Sequence, residues 1–222
     1  MKSFSVAIDG PAGAGKSTVA RQVAERLGLT YVDTGAMYRA ITWKVLREQV
    51  DPSDELAVTR LAQRTKIDIQ PTDIWVDGVR VTEEIRSPEV TAHVSAVARI
   101  PGVREALVEK QRAIAQTTGV VMDGRDIGTY VLPDADVKVF LTASIEERAR
   151  RRYLEMMRRG FTADLEELKE AIQRRDEADT TREHAPLRKA DDAVEIDTTS
   201  HSINDVVERI LELCRTKVGG GE

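Results

Sequence analysis

Eight consecutive residues, Gly10-Pro11-Ala12-Gly13-Ala14-Gly15-Lys16-Ser17, keep the spacing G-x-x-x-x-G-K-[ST] and follow an apolar run, Phe4 to Ile8, that ends in Asp9. That spacing suits one chemistry. Glycines let successive backbone N–H groups point into one concavity around phosphate oxygens, a helix starting at the lysine adds its positive dipole end, and the lysine supplies a mobile charge. Gly10, Pro11, Ala12, Gly13, Ala14, Gly15, Lys16, Ser17 and Thr18 are therefore expected to hold a nucleotide triphosphate, with Ser17 as a ligand of magnesium. A dinucleotide fingerprint fits less well, because Thr18 stands where the third glycine of G-x-G-x-x-G belongs.

Three more clusters carry charge that a phosphate site could use. The run Gly119-Val120-Val121-Met122-Asp123-Gly124-Arg125-Asp126 reads as a strand ending in carboxylates and an arginine, where open α/β sheets place ligands. Asp123 is placed to orient magnesium water and Arg125 to fork onto a second phosphate, against the plainer reading of a strand-end turn. Further on, Arg148, Arg152 and Arg159 share one helical face, as do Arg151 and Arg158. This stretch, about 148 to 162, reads as a solvated face partnered by Glu146, Glu147 and Glu155, as a mobile lid that closes over the triphosphate and excludes water, or, least well for want of aromatic interleaving beyond Tyr153, as a nucleic-acid surface. Third, Arg175, Asp179 and Arg182 are spaced i, i+4, i+7 ahead of Pro186. On a surface they make an ion-pair ladder; facing a cleft, Asp179 would hold ribose hydroxyls and the arginines phosphate oxygens.

These groups need a scaffold, and the hydrophobic pattern supplies one. Phe4 to Ile8, Thr30 to Val32, Val120 to Met122, Val137 to Leu141 and Ala193 to Ile196 have the length and apolarity of strands buried on both faces. Between them Ala20, Val23, Ala24 and Leu27 form a helical stripe that stops at Gly28, and Met37, Ile41 and Val45 form another. The expected class is α/β: a three-layer P-loop fold around five parallel strands. Lys66 to Gln70, Ile74 to Asp77 and Val79 to Thr82 break the alternation as a small antiparallel meander, followed by helix starts at Ser87-Pro88-Glu89 and near Pro101, the latter carrying Val103, Leu107 and Ile114. Residues 35–116 are thus expected to be an insertion into a core made of 1–34 and 117–222. The last helix opens with Ser202 three residues before Asp205 and is expected to bury Ile203, Val206, Ile210 and Leu213, with Cys214 beside them as an unreactive packing residue. There is no internal repeat, and only Gly219 to Gly221 is of low complexity.

Composition narrows the class further. With 41% hydrophobic and 32% charged residues of mixed sign, 222 residues can build a sizeable core, which excludes fibre and disorder. No apolar run reaches the ~18 residues that span a bilayer, no cleavage-site pattern follows the first one, and a single cysteine cannot close an internal disulfide. A cytoplasmic location without membrane contact is expected. The net charge of −5 argues against a nucleic-acid-wrapping domain, and three scattered histidines argue against zinc.

A P-loop leaves open a GTPase, an ATP-driven machine or a small-molecule kinase. Thr65-Lys66-Ile67-Asp68 has the spelling of a guanine-reading element but lies in the meander, far upstream of the later core strands, and the chain is short for a translocating ATPase. Neither class uses the arginines.

The whole constellation resembles the bacterial-type cytidylate kinases. The resemblance rests on Asp9 to Ser17, Asp33-Thr34-Gly35-Ala36-Met37-Tyr38-Arg39, Asp123-Gly124-Arg125-Asp126-Ile127-Gly128-Thr129, Arg158 to Phe161, and Arg175-Asp176 through Ala185-Pro186-Leu187, five motifs in order over nearly the whole chain. It implies transfer of a phosphoryl group from ATP to CMP or dCMP with Mg2+, a helical lid, and an insertion that binds the monophosphate. It further implies that Thr34, Arg39 and Arg125 bind the acceptor nucleotide, that Ser95, Arg104 and Asp126 read cytosine, that Arg175 and Asp179 hold the ribose, and that Arg182 meets the phosphates. Lys16, Arg39, Arg125, Arg148, Arg152 and Arg182 would then carry the charge of the transferring group. Position 34 is threonine where the family also uses serine, and the lid is richer in arginine than the family requires. Two alternatives stay open: a P-loop kinase of the shikimate or gluconate type, in which Asp33 would touch an acceptor alcohol, and a nucleotide-binding regulator without turnover. No heptad seam or large apolar patch is evident, so a monomer is expected.

Overall fold

A computed structural model describes residues 3–70 and 73–219; of the glycine tail, residues 220 and 221 lie outside it. The chain divides into two compact units, 1–31 with 118–222, and 32–117. The smaller unit begins at 32, where 35 was expected, and so takes in Asp33, whose side chain caps the helix that opens at Thr34.

A five-stranded sheet runs in the order β2-β6-β1-β7-β8, with β1 Ser5–Asp9, β2 Thr30–Asp33, β6 Val120–Gly124, β7 Val137–Thr142 and β8 Val194–Asp197, all in the larger unit except the last two residues of β2. β1 lies at its centre, parallel to β6 and β7, and β8 is parallel to β7. All residues of β1 and β6 are buried, which is why these strands read as continuous apolar runs. Helices α1 (Lys16–Leu27), α6 (Ile145–Arg158), α7 (Leu165–Thr181) and α8 (Ile203–Gly219) complete the unit. α1 ends where Gly28 adopts a left-handed conformation that the type favours. The core joins Val6 and Ile8 to Val19, Val23, Val139, Leu141 and Ile210.

The smaller unit contains α2 (Thr34–Arg47), α3 (Glu55–Arg64), a three-stranded antiparallel sheet β3-β4-β5 (Ile67–Ile69, Ile74–Val76, Val79–Arg80), a 3-10 turn Glu84–Arg86, α4 (Pro88–Ala98) and α5 (Pro101–Thr117). Oxygen caps start its helices: Asp33 for α2, Asp54 for α3 and Ser87 for α4 each accept a first-turn N–H, worth about 1 kcal/mol apiece. Lys44 of α2, 8% exposed, donates to Thr65 Oγ1 (3.0 Å) and Asp77 Oδ2 (2.6 Å), pinning the end of α3 and the β4–β5 turn to α2.

Several expectations change. α3 carried no strong sequence signal, being short and polar between its buried Val58, Leu61 and Ala62. In α8 the capping pair forms, with Ser202 Oγ donating to Asp205 and accepting its N–H. The buried stripe is Val206, Val207, Ile210, Leu211 and Cys214; Ile203 is 46% exposed because it sits in the first turn, ahead of the residues that reach the sheet. Leu213 and Ile114 are half-buried. α7 ends at Thr181, so Arg182 is extended and lies off the helical face shared by Arg175 and Asp179.

Candidate active site

The strand β1 and helix α1 place the glycine loop at the C-terminal end of the sheet, as open parallel sheets do with ligand loops. Two glycines are required there by approach as well as by conformation. A Cβ on Gly10 would fall 2.1 Å from Leu141 O, and one on Gly13 would fall 3.0 Å from Arg148 Cβ, at positive φ in both cases. No side chain caps the start of α1, so its first N–H groups face the loop's concavity without a protein oxygen from the capping position.

Lys16 is 6% exposed and donates to Pro11 O (2.8 Å). Burial, reinforced by the charge of Arg125, draws its pKa down to about 7 against the opposing pull of Asp123. Ser17 Oγ donates to Asp123 Oδ2 (2.9 Å), and Tyr31 Oη donates to Asp123 Oδ1 (2.8 Å). Two hydroxyls, from α1 and β2, thus converge on one buried carboxylate of β6.

Beyond β6 the chain turns sharply. Arg125 Nε donates to Asp179 Oδ2 (2.9 Å), and Arg182 Nη2 donates to Asp126 Oδ1 (3.3 Å). Burial raises the pKa of Asp179, but Arg125, Arg175 and Arg182 outweigh it and hold the carboxyl below its usual range. Arg182 can reach Asp126 because it lies just past α7, with its Nε donating to Ala185 O (2.6 Å). Arg175 joins this group through its charge, which acts on both Lys16 and Asp179. A π-helical turn, Ile127–Val131, follows, and its first N–H groups are taken by Asp9: Ile127 N donates to Oδ1 (2.8 Å) and Gly128 N to Oδ2 (2.7 Å). Burial pushes Asp9 up to about 6 despite these two donors, with Asp126 adding to the rise and Lys16 opposing it.

The arginines of α6 divide. Arg148, 7% exposed, donates to Ala12 O (3.2 Å), Ala143 O (3.0 Å) and Asp176 Oδ2 (2.5 Å). Arg151 donates to Thr198 O (2.7 Å) and Gly13 O (3.4 Å), and Thr198 Oγ1 donates to Ala14 O (3.2 Å). Three successive carbonyls of the glycine loop are thus braced from outside. Arg150 and Arg151 also pair with Glu147, and Arg152 with Glu155, as the solvated-face reading expects of the glutamates. Arg159 packs over Phe161, 5.9 Å from the ring centroid.

Thr34, Arg39, Ser95 and Arg104 belong to the smaller unit. Thr34 opens α2 and is buried. Arg39 donates to Thr91 Oγ1 (2.9 Å) and Ile85 O (3.3 Å). Thr91 and Ser95 lie one turn apart on α4 and so share a face. Arg104, 3% exposed, donates to Ala98 O (3.2 Å), and its guanidinium lies 5.4 Å over the Tyr38 ring. Asp33, the carboxylate that a hydroxyl-acceptor kinase would use, spends Oδ1 on Ala36 N and stands 3.7 Å from Arg86. Thr65 to Asp68 spans the end of α3 and the start of β3, as its position in the meander requires.

Tyr31, Thr91, Thr198 and the tie of Asp9 escaped sequence reasoning. Each acts on a partner dozens of residues away or through a backbone group, and no local motif marks such contacts. Cys214 is buried and its thiol is pushed by burial up to about 11, consistent with a packing residue. Among the described residues no group of three or more His, Cys, Asp and Glu is arranged to hold a metal, and no helix is long and apolar enough to cross a membrane.

Residues 6–216 match the family model described as cytidylate kinase. The chain is 57% identical over 222 residues to the cytidylate kinase of Geobacillus kaustophilus, covering 98% of this chain and 99% of that protein. It is 54% identical over 220 residues to the cytidylate kinase of Listeria monocytogenes, covering 98% of each. Among solved structures, shikimate kinase from Acinetobacter baumannii in complex with shikimate superposes with a TM-score of 0.51 at 16% identity, over 96% of this chain and 94% of that one, a likeness of fold.

Proposed function

The chain belongs to the cytidylate kinase family, and from that premise we propose that it transfers the γ-phosphoryl group of ATP to CMP or dCMP, giving ADP and CDP or dCDP. The observation that carries the reading is the crossed pairing after β6, where Arg125 is held by Asp179 and Arg182 by Asp126. Two arginines fixed by two carboxylates at a strand end suit a phosphorylated acceptor better than an alcohol.

The glycine loop from Gly10 to Thr18 wraps the donor phosphates. Lys16, poised near neutrality by burial, is held fully charged once phosphate oxygens replace Pro11 O as its partner. Arg39 and Arg125 meet the acceptor phosphate beside Thr34, Ser95 with Arg104 and Asp126 reads the cytosine edge, Arg175 and Asp179 take the ribose, and Arg182 the phosphates. Cytosine presents an acceptor edge to the serine and arginine and an exocyclic amine to the carboxylate. Arg152 approaches the transferring group as α6 closes, while Arg148 braces the loop at Ala12 O.

No side chain is needed as a general base. The acceptor phosphate has a second pKa of about 6, so its oxygen is already largely unprotonated at neutral pH. That oxygen attacks the γ-phosphorus, the bond to the β–γ bridging oxygen breaks, and the electron pair leaves with ADP. The protein supplies alignment of two mutually repelling phosphates, cationic charge around the transferring group, and exclusion of water. Ser17 Oγ and the Asp123 carboxylate, 2.9 Å apart and all-oxygen, fit a small hard cation such as Mg2+. When bound, that ion would screen the β- and γ-phosphate oxygens. We place the enzyme in the cytoplasm as a monomer acting on small nucleotides, with neither nucleic acid nor membrane as partner.

A coupled assay of ADP formation, with CMP, dCMP, UMP, AMP and shikimate offered separately, tests the reading. Turnover with CMP and dCMP far above the others is expected; turnover with shikimate alone, or with no acceptor, would remove the acceptor assignment.

A further inference from the structure

We infer that Asp9 is a positioning residue for the acceptor: by capping the turn after β6 in place of Asp126, it leaves the Asp126 and Arg125 side chains to face the nucleotide. The inference rests on the reading of Asp126 as a base-contacting residue. A helical turn begins with N–H groups that lack partners inside it, and the residue just before the turn ordinarily covers them with its own side chain. Asp126 stands in that position before Ile127–Val131 and is of the right type, yet its side chain makes no capping bond. Its carboxylate meets Arg182 instead, while its backbone carbonyl accepts from Tyr130 N (2.9 Å) and Val131 N (3.1 Å).

The missing cap comes from another strand, 118 and 119 residues away in sequence. Asp9 ends β1 beside Gly124 in the parallel ladder, and its two oxygens take the N–H groups of Ile127 and Gly128 at 2.8 and 2.7 Å. A serine or asparagine offers one acceptor atom in such a place, whereas the carboxylate of Asp9 gives each of the two successive N–H groups an oxygen of its own. The fold accepts a buried charge to obtain that: Asp9 is 5% exposed and its pKa stands at about 6 because of burial. The same residue precedes Gly10, the first residue of the donor loop. One side chain therefore ties the end of the strand that starts the donor cradle to the turn that carries the acceptor contacts.

Asp9→Asn keeps the shape but turns one acceptor into an N–H donor facing a backbone N–H. Steady-state kinetics with CMP, UMP and ATP, together with hydrogen exchange of the peptide spanning 123–132, read the result. Loss of a hydrogen bond to a charged group predicts a rise in KM for CMP of about 10-fold or more, a fall in the CMP:UMP preference by a similar factor, ATP KM within about two-fold of wild type, and faster exchange at Ile127 and Gly128. Equal losses for CMP and UMP with the ratio intact would reduce Asp9 to a structural residue. A raised ATP KM with unchanged exchange at 127 and 128 would make it a shaper of the donor loop only. If Asp9→Asn does not fold, Gly128→Ala disturbs the same contact with the carboxylate in place, since its Cβ would lie 3.4 Å from Asp9 Oδ2 and 3.2 Å from Lys138 Cδ; the same changes in smaller size are expected, and their absence overturns the inference. Wild-type enzyme that fails to prefer CMP over UMP removes the reading of Asp126, and the exchange of Ile127 and Gly128 then decides alone whether Asp9 holds the turn.

Discussion

The strand-end corner of the larger unit and helix α6 are both crowded with charge, yet they are built in opposite ways. At the corner, Asp9, Ser17, Asp123, Arg125, Asp126, Asp179 and Arg182 find partners between 54 and 119 residues away, mostly out of water. Along α6, Arg150 and Arg151 pair with Glu147, and Arg152 with Glu155, three or four residues off and in contact with solvent. Non-local buried pairs fix side chains relative to a scaffold before any ligand arrives, and such preorganisation is what electrostatic catalysis uses. Local exposed pairs travel with their helix and are screened. Two arginines of α6 depart from this: Arg148 is built like the corner, tied to Asp176, Ala12 O and Ala143 O, and Arg151 adds distant bonds to Thr198 O and Gly13 O to its local pair with Glu147.

The contrast breaks most severely at Lys16. Lys16→Met should lower kcat by about 10²–10³-fold, the scale for losing one preorganised charge, with the fold intact because a buried ammonium is exchanged for an apolar chain of similar length. Full activity in that variant would mean that the corner is not where the chemistry occurs. Arg125→Met should lower kcat/KM for CMP by about 10²-fold, the loss expected of a charge-assisted contact, and the ATP KM should change little.

Arg148→Met separates the two designs within one helix. Removal leaves the Asp176 carboxylate without its guanidinium, and breaking a buried pair in this way is costly. Because Asp176 keeps 22% of its side chain in solvent, a loss of about 2–3 kcal/mol in unfolding free energy is expected by denaturant titration. A loss of turnover without any loss of stability would instead place Arg148 on the transferring phosphate.

How much of this was legible in the sequence follows the same division. The glycine loop and the strands at Phe4 to Ile8 and Val120 to Met122 are local patterns, and they stand within a residue or two of where they were read. The meander was marked by Gly78 and alternating apolar residues. What stayed hidden depends on distance in the chain. In sequence Asp9 marks a strand end and heads the glycine-loop motif, and Tyr31 lies within another strand, but the turn and the carboxylate they hold are far downstream. Arg182 was placed on a helical face by its spacing, but α7 stops at Thr181, and the extended backbone lets the side chain reach Asp126. Ile203 fitted the periodicity and still faces solvent, since periodicity does not say where a helix first meets the sheet.

Titration sharpens the contrast at lower amplitude. Asp9 has its pKa raised from 3.8 to about 6, so between those values the folded chain binds a proton that the unfolded chain does not. Its contribution to the unfolding free energy therefore grows as pH falls through 6 and levels off below 3.8. Subtracting the stability of Asp9→Asn from that of wild type between pH 7 and pH 4 should give a difference that rises toward acid, by about 1–2 kcal/mol. A flat difference would mean that Asp9 is not buried as a charge. Glu147, drawn down to about 2 chiefly by its hydrogen bond from Arg150, works the other way: its contribution is present above its ordinary 4.5 and is lost only as pH falls toward 2.

The smallest effect is expected at Arg150, and it is the most direct check on the contrast. Its side chain is 60% exposed, and its partner Glu147 also receives Arg151. When Arg150 is replaced by alanine, the Glu147 carboxylate keeps that second guanidinium, the helix keeps its Ser144 cap, and water takes the remaining lone pairs. Exposed pairs three residues apart on a helix are worth little and are weakened further by salt. Arg150→Ala should therefore leave kcat, both KM values and the melting midpoint unchanged within error at 0.15 M salt. It stands two residues from Arg148, whose replacement is expected to be plainly destabilising. A loss of turnover at Arg150 equal to that at Arg148 would show that burial and long-range pairing do not separate the working charges of this enzyme from its solvated ones.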